Sequence, residues 1–163
     1  MQTETETQAP SGANDFDFLI GSWNVANRRL EQRWVGSDAW DEFPGTNEVA
    51  ALVDGIGNLE QMRFPTKGWS GITLRLFDRK HQEWSLYWAN SRDGVLFPPV
   101  VGRFTGARGE FYGDDTDDGK PVRVRFTWHN AGPAQCRWEQ AFSVDGGATW
   151  ETNWTMDFTR ADA

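Results

Sequence analysis

Val122-Arg123-Val124-Arg125-Phe126-Thr127-Trp128-His129 alternates without a break. Val122, Val124, Phe126 and Trp128 share one side; Arg123, Arg125, Thr127 and His129 share the other. A period of two is the mark of a β-strand with two different faces. Residues 135–144 and 150–159 repeat the pattern. Trp138, Gln140, Phe142 and Val144 oppose Arg137, Glu139, Ala141 and Ser143. Trp150, Thr152, Trp154, Met156 and Phe158 oppose Glu151, Asn153, Thr155 and Asp157. The simplest hairpin registers set Arg125 near Glu139 and Arg137 near Asp157, each pair worth ~0.2–1 kcal/mol. A face of that kind suits solvent, which turns the aromatic face inward. The opposite arrangement, with the charged face lining a polar pocket, uses the same alternation and stays open.

Working outward, the Trp84, Leu86 and Trp88 set extends the apolar face into an earlier hairpin. Residues 69–78 and 84–90 are its strands, joined by Arg79-Lys80-His81-Gln82. Strands are also expected over residues 23–34, 46–53, 59–64, 100–105 and 110–113. Residues 38–45 read as a loop folding Trp40 and Phe43 onto the barrel mouth, and residues 114–119 as an acidic turn. Phe16, Leu19 and Ile20 recur at helical spacing, so one short turn capped by Asp15 and stopped by Gly21 opens the ordered chain. About eight to ten antiparallel strands with short connections define an all-β fold. An up-and-down β-barrel, which leaves no open edge, is favoured over a sandwich.

Composition narrows the function. The 163 residues suit one domain, over residues 15–163, and a chain of this size buries roughly 70% of its unfolded surface without a staple. Ten Trp and eleven Phe supply bulky apolar area. A net charge of −8 and no basic run exclude nucleic acid as an expected partner. Residues 1–14 are polar, with no basic or long apolar segment, and read as a disordered lead-in rather than a secretion signal. No stretch has the length of a membrane helix. Cys136 is the only cysteine, so no intrachain disulfide forms. A small buried thiol is its expected role, and the cytoplasm the expected location.

The chemistry-bearing motifs are modest. Ser143-Val144-Asp145-Gly146-Gly147-Ala148-Thr149-Trp150 follows the Asp-box pattern Ser-x-Asp-x-Gly-x-Thr-Trp, which builds a hairpin turn. Sialidase propellers repeat it away from their active sites; here it occurs once and marks a turn. Asp114-Asp115-Thr116-Asp117-Asp118-Gly119 lacks the terminal Glu and flanking helices of an EF-hand. His81 and His129 sit near turns, in no zinc pattern, and no metal or cofactor is expected. Carboxylate–arginine groupings at Glu139 with Arg125, and at Glu110 and Asp114, read as surface ion pairs.

Phe16-Asp17-Phe18-Leu19-Ile20-Gly21-Ser22-Trp23, with its short turn and Gly-x-Trp, resembles the opening of a calycin. Residues 99–104, 111–116, 138–143 and 149–158 extend the likeness to an uncharacterised, lipocalin-like bacterial domain family, over nearly everything after residue 15. The resemblance implies a barrel with a central cavity and no settled activity. Calycin relatives include carriers of hydrophobic ligands, haem-binding nitrobindins and barrel enzymes, and the fold does not choose among them. Nitrobindin-type haem ligation would need a C-terminal His, and none is suitably placed.

The leading expectation is a small-molecule-binding barrel holding an apolar or aromatic ligand. Its ligand-binding residues would be Trp23, Trp84, Trp88, Asn90, Phe126, Trp128, Trp138, Gln140, Trp154 and Met156. Asn90 and Gln140, amides on an apolar face, favour a cavity because buried amides need partners. The rivals are a cofactor-free lyase, cyclase or isomerase, with convergent ionisable groups in the cavity, and a self-associating domain such as a homodimer, with a large apolar patch.

Overall fold

The computed structural model describes residues 12–161, and the chain forms a closed antiparallel barrel. Among these residues the strands are β1 Gly21–Leu30, β2 Trp40–Leu52, β3 Gly57–Phe64, β4 Trp69–Asp78, β5 Glu83–Asn90, β6 Val100–Thr105, β7 Arg108–Asp117, β8 Lys120–Asn130, β9 Gln135–Ser143 and β10 Glu151–Arg160. Each pairs with its neighbours in sequence, and β10 returns to β1. Closure satisfies every strand edge within the barrel.

The aromatic face of β8 points inward: Val122, Val124 and Trp128 are buried, and Trp128 pairs with Trp138 across β9. Arg137 pairs with Asp157 as expected, bonding both carboxylate oxygens at 2.7 and 2.8 Å. Arg125 instead lies opposite Ala141, and its guanidinium covers the Trp150 ring at 4.6 Å. Trp150 is therefore outside. A β-bulge between Thr152 and Trp154 shifts the phase of β10, so the apolar alternation does not run through to residue 150.

Residues 38–45 are not a loop, because β2 begins at Trp40. Pro44 is accommodated because this half of β2 pairs only with β1; pairing to β3 starts at Thr46. β7 likewise continues to Asp117 through most of the expected acidic turn. The connection to β8 is Asp118-Gly119, both at positive φ as a type I′ hairpin requires. The Asp-box turn forms as its side chains dictate. Asp145 accepts from Ser143 Oγ, Thr149 N and Thr149 Oγ1, and Gly147 N donates to Ser143 Oγ.

One end of the barrel is plugged. The chain makes 3-10 turns at Gly12–Asn14 and Asp17–Leu19, the second capped at Phe16 with no side-chain cap bond, so Asp15 does not cap it. Of the expected lead-in, residues 1–11 lie outside the described residues. Phe16 drives into the barrel, edge-on to Trp84, Phe104 and Trp128. Trp23 donates to Leu19 O at 2.8 Å, and Trp84 donates to Gly12 O at 3.0 Å. Arg160 stacks on Trp23 at 3.9 Å while donating to the Phe18, Ile20 and Pro133 carbonyls. Gly21, at φ +124°, leaves room for that guanidinium: a Cβ there would meet Arg160 Nη1 at 2.4 Å.

Candidate functional site

Above the plug lies a chamber of about 40 Å³, lined by residues that include Trp88, Phe126, Trp128, Trp138, Gln140, Trp154 and Met156. A single water occupies ~10–15 Å³ on this scale, so the chamber has room for a few waters. Over it opens a mouth of about 190 Å³, sharing Leu86, Trp88, Phe126, Gln140 and Trp154 with the chamber below. Trp88 stands where it does because Gly71 faces it: a Cβ at Gly71 would meet the indole at 2.1 Å.

The structure brings seven of the ten expected residues to the chamber. Trp23 and Trp84 are packed into the plugged end instead, away from both openings. Asn90 lines the mouth, but its amide organises the following turn: Oδ1 accepts from Arg92 N and Asp93 N, both at 3.0 Å. Gln140 does face the chamber and donates to Asn153 Oδ1 at 2.8 Å.

Sequence reasoning missed the polar wall. Asn47, Asn58, Glu60, Thr73 and Arg75 are all buried on β2, β3 and β4, and Glu60, Thr73 and Arg75 line the chamber. Glu60 and Arg75 form an ion pair, each side chain 1% exposed. Asn47 donates to Glu60 Oε2 at 2.5 Å, and Arg75 Nη1 donates to Asn58 Oδ1 at 2.9 Å. The Arg75 guanidinium also sits 5.1 Å from the centres of Phe16 and Trp128, tying this network to the plug. Arg75 Nε and Trp128 Nε1 have no acceptor among the described residues. No local signal marks it, because β4 inverts the expected alternation: Thr73 and Arg75 are buried, while Ile72 and Leu76 are exposed.

At the mouth the charged side chains are unevenly matched. Arg33 grips Asp117 with Nε at 2.7 Å and Nη2 at 2.5 Å, which raises the arginine's pKa and lowers the carboxyl's. Arg29 has no carboxylate partner among the described residues and lies over Trp154 at 4.8 Å and Trp69 at 5.9 Å. Burial first, then the nearby Arg92 and Arg33, hold its pKa below the ordinary arginine value. Arg92 covers Trp69 at 3.9 Å.

The remaining candidates lie elsewhere. Burial pushes the Cys136 thiol up to about 12, which makes it a poor nucleophile. Glu110 accepts from Tyr112 and Arg108, and Asp114 from Arg123, as ion-paired surface groups do. His81 hydrogen-bonds Asp78 at 2.7 Å near Glu83 on the β4–β5 hairpin. His129 is on the outer side of β8, opposite Arg137.

This geometry is a lipocalin-like barrel fold, here with ten antiparallel strands closed around an inner chamber below a mouth. Among solved structures, the chain is similar over 100% of its length to 99% of an S-type phycobiliprotein lyase, CPES, from Guillardia theta, with a TM-score of 0.60 and 10% identity. At that identity the likeness is one of fold. No protein-family model matches the chain, and no curated protein matches it. Among the described residues no helix is long and apolar enough to cross a membrane.

Proposed function

We propose that the protein binds a small aromatic molecule at the open end of the barrel. The observation carrying this reading is the continuity of mouth and chamber through Trp88, Phe126 and Trp154. A chamber of about 40 Å³ is too small for a whole multi-ring ligand, which moves the site upward from the deep interior. The ligand's rings lie in the mouth against the indoles, and one edge reaches down. The unpaired Trp128 Nε1 and Arg75 Nε favour a ligand with an acceptor at that edge, since a buried donor left unpaired costs ~1–3 kcal/mol.

Binding is favoured over catalysis by the state of the buried carboxylate. Both Glu60 oxygens already accept hydrogen bonds, from Asn47 and Arg75, which suits a fixed wall better than a mobile proton acceptor. Intrinsic fluorescence titrated with one- to three-ring aromatics tests the reading. Saturable quenching is expected, weakened at least tenfold by Trp88→Ala. No saturable binding across the panel would contradict it.

Self-association is a second reading, supported by the outer surface of β2 to β4. Ile72, Leu76 and Leu52 are exposed there, and Leu59 lies opposite Leu74 across the same face. Sedimentation at two protein concentrations checks it: a concentration-dependent dimer is expected, abolished by Leu76→Glu, and a monomer at both concentrations contradicts it.

A further inference from the structure

The two arginines that share Trp69 line the mouth without a carboxylate bonded to either guanidinium. Arg29 and Arg92 both lie on that ring, at 5.9 and 3.9 Å, and neither makes an ion pair among the described residues. Several carboxylates lie close by, but each bonds another donor and none bonds Arg29 or Arg92. Asp41, directly across from Arg29 on β2, accepts from Lys67; Asp117 is held by Arg33. Asp93 accepts from Asn90 at 3.1 Å, and Asp114 from Arg123 at 3.1 Å. Asp115 accepts from Thr116 N at 2.8 Å.

The cost of this arrangement is physical. Arg29 is half-buried between two indoles, and the nearest guanidiniums repel it. A partly buried guanidinium beside a second, exposed one raises the energy of the empty site, and an anion placed between them lowers it. Aromatic walls and unpaired guanidiniums are complementary to one ligand type: flat apolar rings ending in an acid group.

We propose that the mouth recognises an aromatic anion, with the carboxylate, or a like oxyanion, held by Arg29 and Arg92 and the rings stacked on Trp69, Trp88 and Trp154. This rests on the binding reading above and adds the ligand's charge. The polar end sits at the rim, so the ligand enters rings first.

Calorimetric titration with 2-naphthoate and its neutral isostere 2-naphthamide tests the proposal. The carboxylate binds about tenfold tighter or more in the native protein, as charge-assisted hydrogen bonds imply. Raising the salt concentration narrows the difference. Arg29→Gln and Arg92→Gln each reduce the preference, the carboxylate losing more affinity than the amide, whose oxygen accepts from a guanidinium but carries no net charge. Arg92 is exposed, so its replacement leaves folding intact even if Arg29→Gln disturbs the rim. Equal affinity for the two compounds overturns the anion proposal and leaves aromatic binding standing, as does a preference that survives both substitutions. If neither compound binds, the binding reading falls, and this proposal with it.

Discussion

Arg160 and Arg92 each lay a guanidinium 3.9 Å from the centre of a tryptophan ring, at opposite ends of the same barrel. At the plugged end Arg160 also donates to three backbone carbonyls, so its charge and its donors are both spent on holding the 3-10 turn in place. At the mouth Arg92 stacks on Trp69 and makes no ion pair among the described residues. The same pair of residue types thus serves two purposes. A satisfied arginine on tryptophan is a fastener, and an unsatisfied one is an attractive point for something the chain does not itself provide.

The largest effect expected from breaking this contrast is at the buried pair above the plug. Arg75→Met strands the Glu60 carboxylate in the chamber wall and should cost about 3–5 kcal/mol by denaturant unfolding. Replacing both partners by apolar residues should recover much of the loss. Next comes the comparison of the stacked arginines. Arg160→Gln should lose about 1–3 kcal/mol as carbonyls of the plug lose their donors, whereas Arg92→Gln should stay within about 0.5 kcal/mol of the native protein. Equal losses at both ends would erase the distinction.

A smaller effect belongs to the Asp-box turn. Hydrogen bonds from Thr149 and Ser143 hold the Asp145 carboxyl at about 2, below its ordinary 3.8. Its stabilising contribution is therefore complete above pH 3.8 and drains away as pH falls towards 2. Asp145→Asn should show a shallower loss of stability over that acid window, measured by thermal unfolding across a pH series.

The barrel was legible because closed antiparallel sheets leave a local trace. Residues 122–129 alternate strictly, and a period of two separates an aromatic face from a charged one, leaving the structure to show that the aromatic face is inner. The same alternation over residues 84–90, 135–144 and 150–159 brings the expected residues that line the chamber to seven. Trp150 was misread because the bulge between Thr152 and Trp154 shifts the phase without a distinctive residue to mark it. β2 was cut short because Pro44 argues against a strand until one knows that this segment pairs on one side only.

The polar wall was illegible for a different reason. Arg75 sits between Leu74 and Leu76, and local rules turn the leucines in and the charge out. The reverse holds because Glu60, Asn58 and the Phe16 plug converge on Arg75 from distant parts of the chain. The mouth arginines share that property: what sets Arg29 apart from Arg28, which pairs with Glu42, is an ion pair it does not have. Trp23 and Trp84 show the limit from the other side. Both are inward-facing aromatics, and only the plug decides that they fill the barrel floor.

The two ends can be compared in a single spectrum. The indole N–H cross-peaks of the tryptophans, assigned by Trp→Phe substitution, would be followed in a ¹H–¹⁵N titration with 2-naphthoate. Saturable shifts at Trp69, Trp88 and Trp154, with Trp23 and Trp84 unmoved, are the predicted result. Shifts at Trp23 and Trp84 without any at the three mouth indoles would contradict the assignment of one end to structure and the other to binding.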